Sequence, residues 1–164
     1  MNQENTIKMT NLPILGKDYR FYEKDGIYFP SVTTILDYSK DKTGLTKWKE
    51  RIGADAAKTR LEFSNKRGTL LHEMLEKTLV NKLTTYEELK EYIDVSEYED
   101  DIIDGAKSMM DKFWNSPIKS IAKSVHSYEV PLHCYIDDCG GFAGRYDMLI
   151  IDNLDNLILL DFKT

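Results

Sequence analysis

Between residues 45 and 116 the apolar positions recur at helical spacing, and after Pro117 the period shortens to two. Leu45, Trp48, Ile52 and Ala56 predict one helix from about Leu45 to Phe63. Gly68-Thr69 reads as a break before a second helix to about Val80, whose Leu71, Leu75 and Leu79 lie one turn apart. A short helix is expected near Thr85–Tyr92. A stronger one starts at Ser96, with Glu99 completing a capping box, and buries Ile102, Ala106, Met109 and Phe113 until Ser116-Pro117 stop it. Ahead of these, Tyr19–Glu23 and Ile27–Phe29 form a small hairpin around Lys24-Asp25-Gly26, and Ser31 caps a short helix over Val32–Tyr38. Near the end, Val125–Tyr135, Gly141–Ile151 and Leu157–Lys163 predict three antiparallel strands. A tight connection at Ile136–Gly140 and a turn at Asp152–Asn156 join them. Helices followed by a three-stranded meander make an α/β chain.

Composition narrows the classes. The 164 residues are 41% hydrophobic and 30% charged, enough for a core and unlike a disordered tail. No stretch approaches the ~20 uncharged apolar residues of a membrane span, and the first residues resemble neither a signal peptide nor a transit peptide. A cytoplasmic protein is expected. The net charge of −6 argues against a simple nucleic-acid coat protein, but its distribution is uneven. Residues 40–67 hold nine lysines and arginines against four acids, and residues 84–104 hold nine acids against Lys90 alone. The first stretch is either a polyanion-binding face or a solvated helix face.

The candidate chemistry lies in the last 24 residues and in one helix. Asp147 sits among apolar or small residues in GFAGRYDMLII, and Asp161 and Lys163, two apart in LLDFKT, project from one face. Carboxylates at the ends of apolar strands cost several kcal/mol to desolvate unless a cation or donor compensates them. Two of them on neighbouring strands can converge on one hard divalent ion. Asp161 and Lys163 are therefore either part of a metal-assisted phosphodiester site or a plain ion pair at a strand end. In RGTLLHEMLE, His72 and Glu76 share one helix face beside the leucine row, which puts His72 at the core boundary.

Taken in order, FPSVTTIL (29–36), LTKWKE (45–50), RGTLLHEMLE (67–76), SYEVPL (127–132), GFAGRYDMLI (141–150) and LLDFKT (159–164) resemble the PD-(D/E)XK nuclease superfamily. The similarity is to its RecB-type branch, the group of phage exonucleases and mitochondrial-genome-maintenance-exonuclease-like proteins. The resemblance implies a restriction-endonuclease-like core, a mixed sheet flanked by helices, and a metal-dependent deoxyribonuclease. The expected activity is that of an exonuclease on single-stranded DNA or DNA ends, with Mg²⁺ or Mn²⁺, in DNA repair or recombination. A helicase or recombination partner and a bacterial or phage-infected cell fit the same expectation. By position, His72, Asp147, Asp161 and the main-chain carbonyl of Phe162 would ligate the metal, and Lys163 would be the catalytic lysine. Tyr146 stands where the superfamily has a proline. The superfamily also continues past its D-x-K strand into a helix with a Gln-x-x-x-Tyr motif and a further strand. A single nuclease domain over 1–164 is thus expected, C-terminally truncated, with an N-terminal hairpin and short helix (1–40), a helical part (45–116) and a catalytic sheet (125–164). The alternative is a non-catalytic nucleic-acid-binding module with the same fold.

Other residues carry two readings each. Trp48 with Lys47, Lys49 and Arg51 either stacks on bases and holds phosphates or packs in the core. Ser31, Thr33 and Thr34 either contact a phosphate at a helix N-terminus or simply cap it. Glu76 and Glu129 are candidates for a supporting role around the metal. His126, His133, Cys134 and Cys139 lack zinc spacing, and two cysteines exclude an iron–sulfur cluster.

Overall fold

The computed structural model describes residues 7–136 and 140–163. Its elements run β1 (Lys8–Ile14), β2 (Lys17–Lys24), β3 (Ile27–Pro30), α1 (Val32–Ser39), α2 (Thr43–Ile52), α3 (Ala54–Asn81), α4 (Tyr86–Leu89), α5 (Asp100–Trp114), α6 (Pro117–Ile121), β4 (Ala122–Tyr128), β5 (Pro131–Ile136), β6 (Gly140–Arg145), β7 (Met148–Asp152) and β8 (Leu157–Leu160). The chain is mixed α and β with small antiparallel sheets. It divides into two compact units, Met1–Gly44 with Glu129–Tyr146, and Leu45–Tyr128 with Asp147–Thr164.

In the first unit, β1, β2 and β3 form an antiparallel sheet rather than a single hairpin. Asp25-Gly26 is the expected turn, with φ of 53° and 78°, and Leu15-Gly16 makes a second two-residue turn at 52° and 75°. Leucine is a poor signal for positive φ, and Pro13 weakens the strand pattern. Both obscure β1, which tolerates a proline because it is an edge strand. Ser31 caps α1 as expected, its hydroxyl accepting from the Thr34 N–H. The paired strands β5 and β6 complete this unit, and Tyr22, Phe29 and Ala143 form its core. A Cβ at Gly141 would sit 2.3 Å from the Cys134 carbonyl oxygen, so this close pairing requires glycine.

The second unit departs from expectation in its helices. α3 runs unbroken through Gly68-Thr69 and ends at Asn81. A mid-helix glycine costs about 1 kcal/mol, and burying Leu70, Leu71, Met74, Leu75 and Leu79 outweighs it. The break falls instead at Gly53, with φ 87°. It separates α2 from α3 and interrupts the expected stripe. None of Leu45, Trp48, Ile52 and Ala56 is buried, and Ala57 is. α5 starts at Asp100, later than expected, because the Ser96–Glu99 capping box does not form. The Ser96 N–H goes to Asp94 and the Glu99 carboxylate to Lys66. A capping box does form at Thr85 and Glu88 and starts α4. α3 and α5 enclose the main core with Ile102, Ala106 and Met110, while Met109 and Phe113 are half-buried at its edge.

The expected meander is present but interrupted. β4, β7 and β8 pair antiparallel in that order, Met148 opposite Leu160 and Ile150 opposite Ile158. Glu129, at φ 53°, stops the first strand at Tyr128, and its partner breaks at Tyr146-Asp147. β5 and β6 therefore belong to the other unit. The expected connection after Ile136 falls on residues 137–139, outside the described residues. The named strands pair antiparallel throughout, and the one parallel contact among the described residues is the isolated bridge between Ser31 and Ala143. The third strand ends at Leu160, which leaves Asp161, Phe162 and Lys163 beyond the ladder. No helix among the described residues is long and apolar enough to cross a membrane.

Candidate functional site

The second unit joins His72, Asp147 and Phe162 at one end of its sheet, and Asp161 and Lys163 follow β8 at that end. Leu71 and Leu75 are buried, so the intervening face of α3 holds His72 at the core margin, its side chain 32% exposed. Asp147 precedes β7, and Asp161 follows β8. With Met148 opposite Leu160, the register carries these two residues past the last pair on adjacent strands. The Asp147 carboxylate, 18% exposed, accepts from the Phe162 N–H at 2.6 Å. His72 Nε2 lies 3.1 Å from the Phe162 carbonyl oxygen. A carbonyl oxygen only accepts, so Nε2 carries the proton and donates.

Nδ1, the other ring nitrogen, faces Asp147 Oδ1 across 3.7 Å, and in the neutral tautomer that this bond selects it carries a lone pair. The distance is too long for a hydrogen bond. Two electron-rich atoms opposed at this distance repel unless a proton or a cation lies between them. A divalent ion with bonds of about 2.1 Å holds neighbouring ligand atoms roughly 3.0–3.4 Å apart. The pair therefore fits one after a shift of a few tenths of an ångström. His72 and Asp147 supply one nitrogen and hard oxygens, a donor set that suits Mn²⁺ as well as Mg²⁺.

Asp161 does not join this network. Its carboxylate takes the Lys163 ammonium at 2.6 Å, with side chains 60% and 81% exposed. The hydrogen bond to Asp161, helped by the negative charge of Asp147, holds the Lys163 ammonium above the usual lysine range despite partial desolvation. Glu76 stays on the His72 helix face, but its carboxylate pairs with Lys77 at 3.0 Å and raises that ammonium's pKa in turn.

The remaining expected residues have partners or positions of their own. Glu129 belongs to the other unit, where its carboxylate pairs with Arg145 Nε. Ser31 and Thr33 also lie there. Ser31 is buried and bonded to the Thr34 amide and the Thr33 hydroxyl, an internal capping cluster. In the same unit the Lys24 ammonium donates to His133 Nε2 at 3.3 Å, and Cys134 is an exposed free thiol. Cys139 lies outside the described residues. In the second unit, Lys47, Lys49 and Arg51 are exposed on α2, a helix with no buried residue, and Trp48 is half-buried. Sequence reasoning missed the Phe162 amide as the partner of Asp147. The apolar residue between Asp161 and Lys163 was the available signal. No family model, no curated protein and no solved structure matches this chain.

Proposed function

We propose that the chain is a metal-dependent DNA nuclease with a restriction-endonuclease-like core, acting as an exonuclease on single strands or DNA ends. The observation that carries this reading is the facing pair His72 Nδ1 and Asp147 Oδ1, held beside a D-x-K segment at the end of an apolar sheet. A divalent cation, when bound there, supplies Lewis-acid polarisation of a phosphate and a water of lowered pKa. His72, Asp147 and Asp161 would hold it, while the Phe162 carbonyl stays with the His72 Nε2–H on the far side of the ring. Lys163 contributes an ammonium that stabilises negative charge developing on the scissile phosphate. In the resting protein that ammonium neutralises Asp161, so productive binding exchanges one anionic partner for another.

Cleavage of single-stranded and blunt-ended DNA by the full chain is measured in Mg²⁺, in Mn²⁺ and with EDTA. Cleavage in both metals, with Mn²⁺ at least as effective, and none in EDTA is expected. Activity that survives EDTA defeats the metal mechanism. Retained DNA binding with no cleavage in either metal identifies a binding module instead.

The exposed cations of α2 are the part of the molecule that best fits a phosphate backbone. Replacing Lys47, Lys49 and Arg51 together by alanine is expected to weaken single-strand binding. It should also reduce the salt slope by about 2, since each phosphate contact on a single strand releases roughly 0.7 counterions. Affinity titrations at several salt concentrations check this, and an unchanged slope assigns α2 to a solvated face.

A further inference from the structure

We infer that Phe162 is the positioning residue of the D-x-K segment: its ring anchors the segment in the core, and Asp147 and His72 hold its backbone from either side. Asp161, Phe162 and Lys163 lie past the end of β8, where the ladder no longer holds the backbone. The two charged residues are exposed, and only Phe162 turns inward. Its ring packs against both core clusters of this unit, the one between α3 and α5 and the one under the β4-β7-β8 sheet. It also meets the His72 imidazole edge to face, with centroids 5.7 Å apart and planes at 86°. Such an aromatic contact adds stabilisation beyond area burial.

The two hydrogen bonds have a specific geometric effect. The Asp147 carboxylate accepts from the N–H of residue 162 at 2.6 Å, and His72 Nε2–H donates to its C=O at 3.1 Å. Polar partners at both ends of one residue, with its half-buried side chain packed against the core, leave its φ and ψ little freedom. Those two dihedrals set the direction of Asp161 relative to Lys163. The spacing of carboxylate and ammonium is thus controlled by residues that lie 90 and 15 positions away in sequence. Asp147 and His72 acquire a role that does not depend on a metal. The effect on cleavage rests on the nuclease reading; the clamp itself does not.

Amide hydrogen exchange of the ¹⁵N-labelled full chain, without added metal and at one pH, tests the clamp directly. The Phe162 amide is expected to exchange slowly although it lies outside the ladder. Asp147→Ala should speed it at least about tenfold, the size of one charge-assisted hydrogen bond. The amides of Ile150 and Ile158 should not change. Phe162→Ala should speed the amide at position 162 similarly, and Phe162→Tyr, which keeps the ring, should recover the slow rate. Where Phe162→Ala does not fold, Phe162→Leu replaces it. That variant keeps apolar volume but loses the edge contact, and is expected to fall between alanine and tyrosine. Solvent-like exchange in the wild type, or exchange indifferent to Asp147→Ala, overturns the clamp.

Cleavage kinetics then separate the two readings. Phe162→Ala should lower kcat about tenfold or more with KM nearly constant, the signature of misplaced reacting groups rather than lost substrate contacts. A wild type that exchanges as expected but never cleaves removes the nuclease reading and leaves the clamp standing. A wild type that cleaves with a freely exchanging Phe162 amide does the reverse.

Discussion

Lys163→Ala is expected to reduce single-turnover cleavage of single-stranded DNA at saturating metal by about 10²–10³-fold, the usual loss when one preorganised charge is removed from a developing oxyanion. Binding should survive, because the substitution leaves the exposed cations of α2 in place. Folding should survive too. The Lys163–Asp161 pair is largely exposed on both sides, and a pair this open to water contributes little to stability. Asp161→Asn should also remove cleavage and retain binding, and its loss of negative charge near the phosphate should tighten binding in EDTA. Asp147→Ala should remove cleavage as well, but with a different accompaniment, since it also releases the Phe162 amide. Cleavage rates, affinities in EDTA and thermal midpoints on the three variants check this together. A Lys163→Ala protein that cleaves within about threefold of wild type would exclude the lysine from the reaction.

The elements were most legible where one local signal had no competitor. Asp25-Gly26 names its own turn, Ser31 its own cap, and the leucine row of α3 its own buried face. A local signal misleads where a tertiary one competes with it. Gly68 reads as a break, but the apolar residues that follow it bury against α5 and carry the helix through. Ser96 and Glu99 have the spacing of a capping box, yet Asp94 and Lys66 offer each a better partner. The strands from Val125 and to Ile151 look continuous because a residue at positive φ need not be glycine, and Glu129 carries no sign of its 53°. For the site, the spacing placed Asp161 beside Lys163, and they do form an ion pair. It did not reveal that β8 stops at Leu160, so that the segment must be held by its middle residue. That depends on His72, 90 residues earlier, which no window along the chain contains.

Leu70→Ala is expected to destabilise the second unit by about 2–5 kcal/mol, the range for deleting a fully buried leucine side chain. Leu70 has no exposed surface and packs in the α3–α5 core with Met74, Ile102, Ala106 and Met110. Both helices supply that packing, so the site of truncation cannot collapse without moving one of them, which favours the upper half of the range. For a unit of roughly 100 residues, 1 kcal/mol lowers the thermal midpoint by about 4–5 °C, so a fall of about 16–20 °C is expected at about 4 kcal/mol. The contrasting substitution is Leu45→Ala. Periodicity alone gives Leu45 the same standing as a core position, but it is 46% exposed on a helix with no buried residue. Its replacement should change stability by no more than about 0.5 kcal/mol. Thermal melts and urea titrations on both variants, with an unchanged urea slope as the check that the transition is the same, measure the difference. Equal losses would mean that α2 packs as tightly as α3 and that the break at Gly53 does not separate them. A large loss at Leu70 alone ties the standing of His72 to the core beneath it, because Leu71 and Leu75 on the same helix hold that imidazole at the end of the sheet.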